Sequence, residues 1–94
     1  MKHQTLPLAR HAQSIGETWA QETIKTIHAE QRVAAGGFPG TMTEARTRVS
    51  LLVLPWLAKH GNPPATPVER EAIAKAVYQS AKQAWWSMRE PEAD

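Results

Sequence analysis

The stretch AAGGFPGTMTEAR, Ala34 to Arg46, holds Gly36, Gly37 and Gly40 around Phe38 and Pro39, and a helix start follows at once. A glycine-rich loop running into a helix N-terminus can cradle a phosphate with its backbone N–H groups. It can equally be a corner between two helices. A nucleotide-binding loop would follow a strand and read GxxxxGK[ST]. Here no strand pattern precedes the loop and no Lys follows Gly40. Glu44 puts a negative charge where an anion would sit. The corner reading needs only a helix stop at Gly36/Gly37, a cap at Thr41, and Phe38 dropping into the core. The corner is the expectation.

Other chemistry finds little support. The only Asp is Asp94, which removes most aspartate-based metal and acid–base schemes. His3, His11, His28 and His60 include no i, i+4 pair, so no helical zinc pair is announced. The latter two of these lie on a polar helix face and at a segment end, and His11 falls near a polar face too. Glu22 and Glu30 read as solvated helix glutamates beside Lys25 and Arg32. With no cysteine there is no thiol nucleophile and no disulfide scaffold. No catalysis, metal or cofactor is expected.

A more suggestive pattern lies near the end of the chain. At 100° per residue, Lys75, Gln79, Lys82, Trp86 and Arg89 form a stripe almost opposite the apolar positions Ile73, Val77, Ala81, Ala84 and Met88. Ala76 and Ser80 join the apolar side, and Tyr78 and Trp85 sit at its margin. Three readings stay open for Trp86. Another segment covers it; or it anchors a protein partner, with Lys stems packed around the ring; or it stacks on a base while the cations meet phosphates. A nucleic-acid surface would use Arg46, Arg48, Lys75, Lys82 and Arg89. No helix-turn-helix spacing supports it, because the connections at 36–40 and 61–65 are long for that motif.

Three helices must position these groups. The first is expected over 7–34, with Leu8, Ala12, Ile15, Trp19, Thr23 and Ile27 as its stripe and Ala20 and Ile24 beside it. The second is expected over 42–60. Thr41 and Glu44 form its capping box, and Gly61 and the prolines beyond end it. Ala45, Val49, Leu52 and Trp56 line one face with Val53 and Leu57 beside it, while Leu51, Leu54 and Ala58 fall nearly opposite. Pro55 predicts a kink or break. The third is expected over 67–89, started by Thr66, Pro67 and Glu69. In the first, Ser14 and Glu17 have capping-box spacing around Gly16, but the stripe continues in phase, so one helix is favoured.

The 94 residues are expected to form one all-α domain, a compact three-helix bundle with a frayed acidic tail at 90–94. Hydrophobic residues at 41% and charged residues at 21% suit a globular chain. The N-terminus lacks a secretory h-region and the longest apolar run, Leu51 to Ala58, is too short to span a membrane, so a cytoplasmic protein is expected. Net charge is +2, but no acid lies between Ala45 and Val68. The expected function is non-catalytic. It is that of a small regulator or adaptor acting by protein–protein contact, of the size common among bacterial and phage accessory proteins. A homodimer is the simplest form. Lys75, Gln79, Lys82, Trp86 and Arg89, with Leu51 and Leu54, would carry the contact.

Overall fold

The computed structural model describes residues 5–26 and 37–89, with side chains described for 8–26 and 37–88. Parts of the sequence reading lie outside these residues: positions 27–34 of the first helix, His3 and His28, Gly36, the Arg89 side chain and the tail 90–94.

The first helix, α1, spans Thr5–Thr26 and continues through Gly16. Ala12, Ile15, Trp19 and Ala20 are buried on one stripe, with Leu8 and Ile24 partly buried against it. Gly16 is needed for close approach rather than for a bend. A Cβ there would come within 2.5 Å of the Val77 carbonyl oxygen and 2.7 Å of the Ser80 Cβ. Beside this contact the Ser80 hydroxyl donates to the Gln13 carbonyl at 2.9 Å. The Gln13 side chain donates to Glu17 at 3.0 Å, so the SIGE stretch starts no new helix.

The last helix, α4, spans Pro67–Arg89 and begins with the expected capping box. The Thr66 N–H donates to Glu69 Oε1 at 2.8 Å, and the Glu69 N–H donates to Thr66 Oγ1 at 3.1 Å. It runs parallel to α1: Leu8 and Ile73 line one cleft, Gly16 meets Val77 and Ser80, and the Trp19 and Tyr78 rings are 6.4 Å apart.

Between them the chain returns antiparallel as α2 (Met42–Arg48), a π turn (Val49–Val53) and α3 (Leu54–Lys59). The Thr41–Glu44 capping box starts α2, and Gly61, at φ 77°, takes the left-handed position after α3. The π turn sits just ahead of Pro55. The Leu54 N–H bonds to the Val49 carbonyl, five residues back, and Pro55 falls in the first turn of α3. Proline has no N–H for the Leu51 carbonyl and its ring would crowd that oxygen in an ordinary helix. The widened turn is the form taken by the expected kink, and the architecture is the expected kinked three-helix bundle.

Two core stripes, both at steps of four, differ from the sequence reading. Along the second helix the buried row is Ala45, Val49, Val53 and Leu57, all at steps of four. In an α-helix four residues overshoot a turn by about 40°, so such a row would spiral off its face. A π turn takes more residues per turn and cancels part of the drift. Leu52, expected on the core face, therefore rotates outward and is 49% exposed. Leu54, named with Leu51 for the contact surface, is instead half-buried and packs against the core. On α4 the buried row is again at steps of four: Ile73, Val77, Ala81 and Trp85, with Ala74 beside it. A four-residue ridge follows its partner obliquely. Its drift carries Trp85 from the expected margin to the centre and leaves Ala76 and Met88, both expected inside, exposed.

Candidate functional site

On α4, the positions opposite Val77 and Ala81 face outward. Lys75, Gln79 and Trp86 are exposed there. Trp86 is 53% exposed, whereas its neighbour Trp85 is 0% exposed and Trp19 4%. Val68 is also exposed and lies 18 residues before Trp86, a whole number of turns. The outward face thus carries a large apolar residue near each end, with Ala72, Lys75 and Gln79 between, over about 27 Å.

Lys82 stands slightly apart from this stripe. It is half-buried, with its Nζ 4.9 Å from the centre of the Tyr78 ring, a cation–π distance. Arg48 is engaged likewise. Its guanidinium lies 4.3 Å from the centre of the Trp19 ring and donates to the Glu44 carbonyl at 3.5 Å. Arg46 makes a two-pronged ion pair with Glu71, its Nε and Nη2 donating at 2.9 and 3.0 Å. That hydrogen bonding holds the Arg46 pKa above, and the Glu71 pKa below, their ordinary values. Of the cations named for a nucleic-acid surface, Arg46, Arg48 and Lys82 are therefore each engaged by a partner within the chain, Arg46 at the exposed surface. Lys75 lies a turn beyond Glu71 on α4 and adds to the pull on its carboxylate.

The Leu51/Leu54 pair is divided. Leu51 is 68% exposed on the π turn, while Leu54 turns inward. Leu51 and the displaced Leu52 are adjacent exposed leucines on one turn.

Two histidines flank one tryptophan. The His11 ring stacks on Trp56 at 4.3 Å with planes 19° apart, and His60 lies 4.6 Å from Trp56 at 40°. The His60 Nδ1–H donates to the Trp56 carbonyl at 2.8 Å, and His11 Nε2 lies 3.4 Å from the Leu52 carbonyl. His11 was expected near a polar face. It is half-buried because Trp56 offers it a ring. The flat stack docks α1 on α3. Among the described residues no cluster of His, Cys, Asp or Glu could hold a metal.

The glycine loop is a corner. Phe38 is buried, edge-on to Trp19 at 4.8 Å and 5.6 Å from Trp85. The Tyr78 hydroxyl donates to the Gly40 carbonyl at 3.3 Å. A Cβ at Gly40 would collide with the Phe38 and Trp19 rings. The Glu44 side chain takes the Thr41 N–H at 2.8 Å, so a carboxylate already occupies the place of an anion.

No family model, curated protein or solved structure matches the chain. Among the described residues, no helix is long and apolar enough to cross a membrane.

Proposed function

We propose that this is a small non-catalytic binding protein, a regulator or adaptor that acts by protein–protein contact through the outward face of α4. Trp86 is the anchor, with Lys75 and Gln79 beside it and Lys82 and Arg89 completing the stripe. A second copy of the chain is the simplest partner. Leu51 on the π turn offers a second apolar contact, now joined by Leu52 rather than by Leu54.

The observation that carries this reading is the exposure of Trp86 in a chain that buries Trp19 and Trp85 and half-buries Trp56. Tryptophan is enriched at binding hot spots, where it brings a large apolar surface with few rotamers to freeze. The engagement of Arg46, Arg48 and Lys82 by partners within the chain weighs against a nucleic-acid surface, which needs several free cations.

The test is the mass of the wild type and Trp86→Ala by light scattering over a range of concentrations. Labelled single- and double-stranded DNA and RNA are titrated in the same buffers. A dimer lost in Trp86→Ala with the helical spectrum unchanged supports the proposal. Tight, salt-sensitive nucleic-acid binding by a monomer puts the phosphate-contacting alternative first. Unfolding of Trp86→Ala makes the residue structural and removes the anchor.

A further inference from the structure

A second surface, on the side of α4 that faces the returning helix, has the chemistry of a small binding site and is independent of the Trp86 face. After α3 the chain is held tightly. Gly61 takes the left-handed position, and Asn62 donates twice to the Leu57 carbonyl, from its backbone N–H at 3.0 Å and from its side chain at 3.2 Å. Pro63 and Pro64 follow with fixed φ. The rigid wall they form closes a cavity of about 190 Å³ against Leu54, Leu57 and Ala65, with Arg70 on its rim. On its other side Arg70 borders a mixed notch of about 230 Å³ lined by Val49, Ser50 and Pro67 with Arg46 and Glu71.

Arg70 is exposed and makes no ion pair or side-chain hydrogen bond among the described residues. Three and four residues away on its own helix stand Thr66, Pro67, Ile73 and Ala74, none of them acidic. The facing chain from Ala45 to Val68 has no acid at all. Glu71 is taken by Arg46, and Glu69 turns back to its own helix start. A guanidinium with its fork of donors open thus stands between an apolar cavity and a notch whose one carboxylate is already paired. Such a fork matches a carboxylate in two parallel hydrogen bonds. The cavity is below the roughly 300–1,000 Å³ of small-molecule sites. It suits one side chain, not a cofactor.

We propose that this site binds a polypeptide segment in which a large apolar residue is followed by an acidic one. The apolar side chain fills the Leu54–Pro63–Ala65 cavity and the carboxylate meets Arg70. The charge complementarity selects a peptide over a purely apolar ligand, and the cavity size limits it to one anchor.

The test uses the full chain, isotopically labelled for amide and methyl spectra. It is titrated with the probes acetyl-Gly-Leu-Glu-Gly-amide, its Leu-Gln and Ala-Glu counterparts, and inorganic phosphate. Saturable shifts confined to Leu54, Leu57, Ala65 and Arg70 are expected with the Leu-Glu peptide. Binding should weaken about tenfold in Arg70→Ala, equivalent to about 1.4 kcal/mol, and comparably for the Leu-Gln peptide. Arg70→Lys, which keeps the charge without the fork, should fall between. Because Arg70 is exposed, Arg70→Ala keeps the wild-type spectrum elsewhere. Equal binding of the Leu-Glu and Leu-Gln peptides, no response to Arg70→Ala, or a response to phosphate as strong as to the peptide would overturn the proposal. So would the same shifts arising from protein concentration alone, which would make the occupant another copy of the chain.

Discussion

Gly16 on α1 lies so close to Ser80 on α4 that a methyl group added at residue 16 would come within 2.7 Å of the Ser80 Cβ. An alanine normally stabilises a helix interior over glycine by roughly 0.5–1 kcal/mol. Here overpacking, at about 1–3 kcal/mol, outweighs it. Gly16→Ala is expected to lower the denaturant midpoint. A rise would mean that the helices separate easily at this seam.

Adjacent tryptophans should give opposite results. Trp85→Ala empties a fully buried site and should cost about 3–5 kcal/mol. Trp85 Nε1 is buried without a hydrogen-bond partner among the described residues. Trp85→Phe removes that orphan donor and should cost much less than Trp85→Ala. Trp86→Ala should change stability little while abolishing partner binding. Thermal melts of the three variants distinguish the positions, and equal losses at 85 and 86 would contradict the assignment of Trp86 to an outward face.

The corner makes a similar contrast within one loop. A Cβ at Gly37 meets open space, and a Cβ at Gly40 meets the Phe38 and Trp19 rings. Gly40→Ala should therefore destabilise the fold, by roughly 1–3 kcal/mol, and Gly37→Ala should not. Inorganic phosphate should raise the melting temperature of none of the three proteins. Protection of the wild type lost in Gly40→Ala would turn the corner back into an anion site.

The Arg46–Glu71 pair links stability to pH. The hydrogen bonds from Arg46 lower the Glu71 pKa in the folded state. A depressed carboxylate contributes stability that is present above its unfolded pKa, near 4.3, and is lost as pH falls through the lower folded value. Glu71→Gln should thus be slightly less stable than the wild type at pH 7, and the two should converge in acid. The effect should shrink in high salt, because both groups are exposed. Denaturation at several pH values checks this, and a difference that persists below pH 3 would assign it to packing instead.

The caps and corners were the most legible parts of the sequence. Thr41 with Glu44, Thr66 with Glu69, and Gly61 each announce a backbone conformation by local chemistry alone. The stripe of α1 was legible too, since Ala12, Ile15 and Trp19 keep the helical period. The second helix departs from a regular wheel at Leu52 and Leu54 because a wheel turned at a constant angle cannot contain a π turn. Pro55 signalled a disturbance without giving its form. Within the candidate site, spacing turns Trp86 away from the core of its own helix but leaves open whether another segment covers it. The engagement of Arg46 and Arg48 does not follow from spacing, because Glu71 and Trp19 lie on other helices, whereas Lys82 meets Tyr78 four residues back on its own helix. The half-burial of His11 is illegible for the same reason: its partner Trp56 is distant in sequence. Arg70 left only a weak signal, an arginine with no acid three or four residues away.

The π turn has a consequence for how this chain can vary in length. It holds one residue more than an ordinary helix needs. If the exposed Leu51 were deleted, Ala45, Val49, Val53 and Leu57 would stand at steps of four, three and four, the spacing that keeps one face of an uninterrupted α-helix aligned. The core row would survive, and the remaining penalty would be that of a proline within a regular helix. Residues 49–53 are thus a join at which a codon can be lost while the bundle stays in register. The same loss within Ile73–Trp85 of α4 would turn half of its buried row to solvent.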